Sequence, residues 1–291
     1  MFLFVLSCVF SGDFPSRLIP SCNEVILKYC LFKDLFSGTS NGGAVSITID
    51  SSIVNVENCF FDNCKTPNSY EGGGIYVKNS VFIGAKYLCG HNCASNWGHF
   101  IFFSLKSGRS DVNMTSAAFC PKLNDGFHQT IIQWYFYNYF IDINVSFCYM
   151  TGHSLLISLN SNKMYSGFCS LTSSKSGMIV ESFLISEGEL FNMNVVNNSM
   201  NSENYFSIFH FNQGTYTLSN ILFKSNSFNS NLGFDGGATI ISGSITILSS
   251  SQTTLDMLHI LPEKCQIEKS SPFTNTPIPL FIFVLPFSNH L

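Results

Sequence analysis

The sequence predicts an all-β protein that folds as a single parallel β-helix of about eight coils, a sheet wound on itself in stacked turns. Three observations support this fold class. Two short sequence markers return at steps of roughly 21 to 31 residues, the length of one coil of several short strands. Segments between the markers alternate apolar and polar residues, as in Ala44-Val45-Ser46-Ile47-Thr48-Ile49. No amphipathic helix of useful length interrupts this pattern.

The first marker opens with glycine and runs into an apolar segment, as in Gly42-Gly43-Ala44-Val45. Glycine at this place lets the backbone adopt a positive φ or pass close to the coil beneath. An up-and-down β-sandwich also contains many short strands, but it does not explain why like residues return at one place per coil. The marker returns, with variations, at Gly72-Gly73-Gly74, Trp97-Gly98-His99-Phe100, Gly126-Phe127, Gly152-His153-Ser154-Leu155, Gly177-Met178-Ile179, Tyr205-Phe206-Ser207-Ile208 and Gly236-Gly237-Ala238-Thr239.

The second marker is an apolar pair that ends in cysteine. Like positions of successive coils lie about 4.8 Å apart, so these cysteines are expected to form one column of buried thiols. That spacing also falls within the Cα separation of a disulfide, so an oxidising compartment would allow some neighbours to be bridged. The chain has 11 cysteines, an odd number that leaves at least one sulfur unpaired in the monomer. The predicted column contains Cys30, Cys59, Cys89, Cys120, Cys148 and Cys169, with Cys64 and Cys93 as companions.

The chain divides into three regions. Residues 1–20 are either a signal-like segment or an incomplete first coil, because the apolar run Met1 to Gly12 lacks the basic residues that precede a signal core. Residues 21–250 form the β-helix domain. Residues 251–291 are an irregular tail or a cap over the last coil. The apolar run Ile278 to Phe287 is about half the length needed to cross a bilayer, so membrane attachment is left open.

The composition favours an extracellular or cell-surface protein. Only 11% of the residues are charged, so Ser, Asn, Thr and Gly must form most of the polar surface that contacts water. The net charge of −4 comes with no basic patch, which argues against nucleic acid as a partner. Three N-glycosylation sequons, at Asn113, Asn144 and Asn197, agree with passage through a secretory route.

The region from Thr130 to Val145 is unusually rich in aromatic residues. In a strand, Tyr135, Tyr137 and Tyr139 share one face, opposite large apolar rings. Two interpretations are open. The tyrosines form an outer face covered by a loop, or they form a platform on which sugar rings stack.

No catalytic, cofactor-binding or metal-binding residues are predicted. A glycosidase needs two carboxyl groups in one cleft, and the only close acidic pair is Glu187 and Glu189, with nothing nearby that suggests a sugar subsite. The segment Gly152-His153-Ser154 resembles the Gly-His-Gly element of polygalacturonase-type hydrolases, but their paired aspartates and Arg-x-Lys element are absent. The segment Cys89-Gly90-His91-Asn92-Cys93 offers three metal ligands and lacks a fourth.

The repeats resemble those of the polymorphic outer membrane protein family, whose passenger domains carry many copies of Gly-Gly-Ala-[Ile/Leu/Val] and Phe-x-x-Asn. In its high cysteine content, the chain is more similar to the related surface proteins of trichomonad parasites. This resemblance spans roughly Ser21 to Leu248. It implies a right-handed, pectin-lyase-like parallel β-helix displayed at a cell surface. The matches are Gly42-Gly43-Ala44-Val45, Gly236-Gly237-Ala238-Thr239, Phe60-Phe61-Asp62-Asn63, Phe191-Asn192-Met193-Asn194 and Phe223-Lys224-Ser225-Asn226.

The function expected from the sequence is therefore that of a noncatalytic, surface-exposed or secreted adhesin. Its partner would be a host or matrix protein or a glycan bound along the sides of the rod. A polysaccharide lyase or glycoside hydrolase on the same scaffold is the alternative. The sequence leaves the oligomeric state open.

Overall fold

The computed structural model describes residues 6–122, 128–200, 207–235 and 237–248. Within these ranges the chain forms strands and no helix, and therefore no helix long and apolar enough to span a membrane. The strands are β1 Ser7–Phe14, β2 Glu24–Lys33, β3 Val45–Ile47, β4 Ile53–Glu57, β5 Phe60–Asp62, β6 Ile75–Lys86, β7 Cys89–His91, β8 Ile101–Ala118, β9 Ile131–Ser146, β10 Leu156–Gly167, β11 Ser170–Thr172, β12 Lys175–Ser176, β13 Val180–Phe183, β14 Glu187–Val196, β15 Ser199–Met200, β16 Ser207–Asn212, β17 Thr215–Lys224, β18 Ser230–Asp235 and β19 Thr239–Leu248.

All pairings between these strands are parallel, and each joins one coil to the next. One strand position runs without interruption from β1 through β2, β4, β6, β8, β9, β10, β14 and β17 to β19. A short second sheet contains only β12 and β15. The fold is a parallel β-helix of about eight coils, which confirms the predicted fold class.

Two corners of each coil are made by a single residue in the left-handed conformation. Asn is common at both corners because its short polar side chain tolerates this conformation. At the first corner φ lies between 47° and 56°, for Tyr29, Asn58, Tyr87, Met114, Asp142, Phe168, Asn192 and Asn220. At the second corner φ lies between 50° and 56°, for Asp34, Asn63, Asn92, Phe119, Phe147, Ser173, Asn197 and Ser225.

The six marker cysteines do not form one column, which corrects that prediction. Cys30 and Cys59 are level with each other, just after the first corner, because Leu31 pairs with Phe60. Cys89 pairs instead with Phe60 and Ser116, one residue beyond that level. The level after the first corner is occupied in turn by Cys30, Cys59, Leu88, Thr115, Ile143, Cys169, Met193 and Ile221.

A second column of cysteines follows the second corner. It contains four consecutive thiols, Cys64, Cys93, Cys120 and Cys148, and continues with polar residues. Both corners share the same turn and are followed by an inward side chain, so the spacing of cysteines alone did not distinguish them. The column therefore joins the predicted companions Cys64 and Cys93 to Cys120 and Cys148, and continues through Ser174, Asn198 and Asn226.

Seven cysteines, all buried, are free thiols: Cys30, Cys59, Cys64, Cys93, Cys120, Cys148 and Cys169. Neighbouring thiols of the columns are therefore not bridged. Cys8 and Cys22 form a disulfide that the repeat pattern did not predict. This disulfide ties β1 to the segment before β2, and β1 and β2 pair as parallel strands. Ser7–Phe14 thus forms a coil-like strand, whereas the predicted tail of residues 251–291 lies outside the described residues.

The glycine marker does what its chemistry predicts. Gly42 and Gly72 have φ of 77° and 69° and open successive coils. Gly43 and Gly73 lie where successive coils touch: a Cβ on Gly43 would overlap the carbonyl oxygen of Gly73, and a Cβ on Gly73 that of His99. The marker therefore combines a left-handed turn with a close approach between backbones.

Candidate ligand-binding groove

Outside the main core, a second apolar cluster covers one lateral face of the rod. It contains Tyr76, Phe102, Ile132, Ile157 and Leu159, with Trp97 and Trp134 packed against it. These side chains lie outside the main core and are nevertheless buried, with at most 9% of any of the five residues exposed. A groove with a volume of about 240 Å³ lies along this face. This lateral groove is lined by Trp97, Gln129, Trp134, His153, Ile157, Leu159, Asn160, Glu181 and Phe183.

Strand register explains how these residues meet. Trp134, Leu159 and Phe183 occupy the same position of β9, β10 and β13, so they follow one another along the rod. Two residues before Leu159 and Phe183, Ile157 pairs with Glu181, and both side chains point to the same outward side of the strands. The outward row that begins with Tyr76 and Phe102 thus changes from apolar to acidic at Glu181.

Aromatic rings form two walls of the groove. The rings of Trp97 and Trp134 have centroids 6.0 Å apart and planes inclined by 87°. On its other side, Trp97 stacks on His128 at 3.9 Å, and His128 stacks on His153 at 4.9 Å. Phe102, on the outward row, packs against Trp134 with the ring centroids 5.2 Å apart. The two tryptophans, which are the only ones in the chain, therefore make a corner of fixed shape.

Glu181 supplies the formal negative charge of the groove. Its side chain is mostly buried, and the residue is 7% exposed. Its Oε2 accepts a hydrogen bond from Ser154 Oγ at 3.3 Å and lies 3.5 Å from Nδ1 of His153. No Lys or Arg is among the described residues that line the groove. With His153 counted as neutral, the formal charge of the lining is therefore negative.

Two histidines behind the groove are held neutral. Burial lowers the pKa of His99 to about 3, and burial, with a further contribution from His153, lowers the pKa of His128 to about 4. Nδ1 of His99 accepts a hydrogen bond from the Ser95 amide at 3.1 Å, so Nε2 carries the proton and donates it to the His128 carbonyl at 3.1 Å. At neutral pH neither ring offsets the charge of Glu181.

Two polar atoms of the groove have no hydrogen-bond partner among the described residues. They are Oε1 of Gln129, an acceptor, and Nε1 of Trp134, a donor. Gln129 is buried, with 1% of the residue exposed. A buried polar group without a partner costs about 1 to 3 kcal/mol, and a ligand that supplies the missing partners recovers this cost.

The three tyrosines of the aromatic segment do not alternate as a simple strand. Tyr135 and Phe136 both have positive φ, 71° and 56°, which turns the chain between Trp134 and Tyr137. Tyr135 packs edge-on against Trp134 at 5.9 Å, and Tyr139 packs against Tyr165 of the next coil at 5.9 Å. Tyr135 and Tyr137 are exposed, but the strand periodicity that placed all three on one face does not hold across the turn.

The sequons differ in exposure. Asn197 is exposed at the second corner. Asn144 is 8% exposed, and Asn113 is half-buried with a buried Oδ1. In the folded rod, Asn197 is therefore the sequon that faces solvent.

The other predicted chemical candidates do not converge. Cys93 is buried, whereas His91 is half exposed and pairs with Asp62 at 2.8 Å. Across the described ranges, no group of three or more His, Cys, Asp and Glu side chains is placed to hold a metal ion. Glu187 and Glu189 lie on β14 and do not line the groove. His153, considered only for its Gly-His-Ser context, does line it.

Sequence reasoning missed the groove because its members lie on different coils. In the sequence, Trp97 belongs to the glycine marker and Trp134 to the aromatic segment, and neither motif points to the other. The signal that could have joined them is the row Trp97, His128 and His153, which advances by roughly one coil at each step.

No protein-family model, no curated protein and no solved structure matches this chain.

Proposed function

We propose that this protein is a noncatalytic β-helical binding protein, displayed at a cell surface or secreted, and that its lateral groove binds a sugar ring of a host or matrix glycan. The observation that carries the proposal is the aromatic corner of Trp97 and Trp134 beside the unpartnered polar atoms of Gln129 and Trp134. A pyranose ring offers an apolar face to an aromatic wall and hydroxyl groups to a donor and an acceptor.

The size of the groove limits what it encloses. Its volume of about 240 Å³ lies below the range of roughly 300 to 1,000 Å³ typical of sites that surround a drug-sized ligand. One sugar ring therefore occupies the groove, and the neighbouring rings of a longer glycan lie along the flat side of the rod. Such a site suits recognition of a repeated sugar on a surface, where several weak contacts add up.

An enzyme on the same scaffold is the second candidate, and the approach of His153 to Glu181 at 3.5 Å favours it. A glycosidase of the usual kind needs two carboxyl groups about 5 to 10 Å apart across the scissile bond. Glu181 is the only carboxylate that lines the groove in the described part of the chain. Binding without turnover is therefore the better supported function.

Incubation with a panel of soluble glycans separates the two candidates. Retention of a glycan without released or unsaturated product supports the binding protein, whereas product that disappears in a His153→Ala variant supports the enzyme. Replacement of Trp134 by Leu is expected to weaken retention, since the groove loses one of its two aromatic walls.

The matched control is Tyr137→Leu, which removes an exposed ring outside the groove. If Tyr137→Leu abolishes retention and Trp134→Leu does not, the groove is not the binding site. Surface display rests on the family resemblance of the repeats. Localisation of the tagged protein in its native cell tests it, and retention inside the cell would contradict it.

A further inference from the structure

We infer that the lateral groove selects a sugar that carries a protonated amine, so that its ligand class is an amino sugar of the glucosamine type in preference to a neutral or acidic sugar. This inference rests on the proposed function, because it names the substituent that the same groove recognises. It follows from three properties of the groove: the sign of its charge, the hydrogen-bond roles of its polar atoms, and the orientation of its rings.

The charge of the groove excludes acidic sugars and favours cationic ones. Glu181 is buried on the outward row, where a carboxylate interacts more strongly with other charges than it does in water. The carboxylate of a uronic acid would meet this charge with no Lys or Arg of the lining to offset it. A protonated amine brings a full positive charge to Glu181, whose Oε2 otherwise faces the Ser154 hydroxyl and the His153 ring. Its bond to Glu181 is charge-assisted, a stronger type than a bond between neutral groups.

The polar atoms of the groove favour a donor. Oε2 of Glu181 and Oε1 of Gln129 are both acceptors, and Oε1 of Gln129 is buried without a hydrogen bond. A protonated primary amine carries three N–H donors and no acceptor, so it suits a groove whose lining offers these two acceptors. A quaternary ammonium group has the charge and lacks the donors. It would leave Gln129 unpartnered.

The aromatic walls favour the same group. The planes of Trp97 and Trp134 differ by 87°, so a ligand in the corner meets the face of one ring and the edge of the other. The face of an indole ring attracts a cation, whereas it offers nothing to a carboxylate. The apolar face of a pyranose and its cationic substituent can therefore occupy the same corner.

Tryptophan fluorescence provides a direct readout, because both tryptophans of the chain line the groove. The ligands are three tetrasaccharides: a glucosamine tetramer, its N-acetylated counterpart and an oligogalacturonide, titrated at pH 6 in dilute salt. N-acetylation keeps the sugar and removes the charge, so the first two ligands differ in the property under test. The glucosamine tetramer is expected to bind at least about tenfold more tightly than its N-acetylated counterpart, and the oligogalacturonide the least tightly.

Glu181→Gln is the matched variant, since it keeps the shape of the side chain and removes the charge. Glu181→Gln should bind the glucosamine tetramer and its N-acetylated counterpart with about equal affinity. Glu189→Gln, which removes a charge outside the groove, should leave the preference unchanged. Tetramethylammonium added as a competitor should displace the glucosamine tetramer poorly.

Each result bears on the inference. Equal binding of the glucosamine tetramer and its N-acetylated counterpart by the native protein, with both quenching tryptophan fluorescence, overturns the amine preference and leaves the proposed glycan groove standing. A preference that persists in Glu181→Gln also overturns it. If none of the three ligands changes the fluorescence or is retained, the inference and the proposed groove both fail. The comparison of ligands on the native protein requires no variant, so a misfolded variant does not obscure the result.

Discussion

The backbone amide of Cys120 donates a hydrogen bond to Sγ of Cys148, one coil further along the rod, at 3.3 Å. The same relationship repeats along the second corner. The amide of Cys93 donates to Cys120 Sγ, that of Cys148 to Ser174 Oγ, and that of Ser174 to Asn198 Oδ1. These residues, each directly after the second corner, are buried, and a buried N–H needs a partner. Cysteine, serine and asparagine share this position because each provides a side-chain acceptor.

Replacement of Cys148 by valine is therefore expected to destabilise the protein by about 1 to 3 kcal/mol, because the buried amide of Cys120 loses its acceptor. Cys148→Ser should destabilise the protein clearly less, since Ser174 already accepts the equivalent amide hydrogen bond in the next coil. The matched control is Cys59→Val, at the first corner, where other coils carry Leu88 and Ile143. Urea unfolding measures all three. Equal stability of Cys148→Val and Cys148→Ser would show that the sulfur is not an acceptor.

The free thiols are expected to resist modification in the folded protein. Burial raises the pKa of Cys148 to about 12 and that of Cys169 to about 11, so little of either thiol is in the reactive thiolate form at pH 8. Iodoacetamide followed by peptide mass mapping should find both cysteines unlabelled in the native protein and labelled in urea. Rapid native labelling of either cysteine, without loss of structure, would contradict the buried columns.

Gly43→Ala is expected to destabilise the protein by about 3 kcal/mol, because the new Cβ would overlap the backbone of the next coil at Gly73. Gly38→Ala is the control. At Gly38 φ is 74° and the space around a Cβ is open, so only the left-handed backbone is strained, at about 1 to 2 kcal/mol. Thermal or urea unfolding of the two variants gives the comparison. A Gly43→Ala variant that is as stable as Gly38→Ala would mean that the coils separate easily there.

The fold was predictable because a β-helix repeats its requirements in every coil. Gly42 and Gly72 return where a left-handed turn is needed, and Asn58 and Asn63 mark two corners of one coil. The register was not predictable to one residue. Cys89 follows Leu88, which occupies the inward level of Cys59, and a cysteine on either side of that level gives nearly the same spacing.

The groove was less predictable than the fold. A repeat pattern identifies what every coil has in common, whereas a binding site is where a few coils differ. Glu181 stands in an outward row whose earlier members are the apolar side chains of Phe102, Ile132 and Ile157. Only the register of the strands places Glu181 near Trp134. In the sequence, Trp134 is one of many aromatic residues in the same segment.

His99 makes the protein sensitive to acid. Its ring is fully buried, and burial lowers its pKa to about 3, below the ordinary value of 6.5. Between these two values the unfolded chain binds a proton that the folded protein does not. The stability contributed by the neutral ring is therefore complete above pH 6.5 and is lost as the pH falls from 6.5 toward 3.

The replacement His99→Asn isolates this contribution, because an asparagine amide keeps one acceptor and one donor and does not titrate. Between pH 7 and pH 5 the native protein is expected to lose about 2 kcal/mol more stability than His99→Asn, since each pH unit below 6.5 corresponds to about 1.4 kcal/mol. Urea unfolding at the two pH values measures the difference. His128, whose pKa is also lowered, is present in both proteins, so its contribution largely cancels. If both proteins lose stability equally between pH 7 and pH 5, the His99 ring is protonated in the folded state and its burial does not exclude the charge.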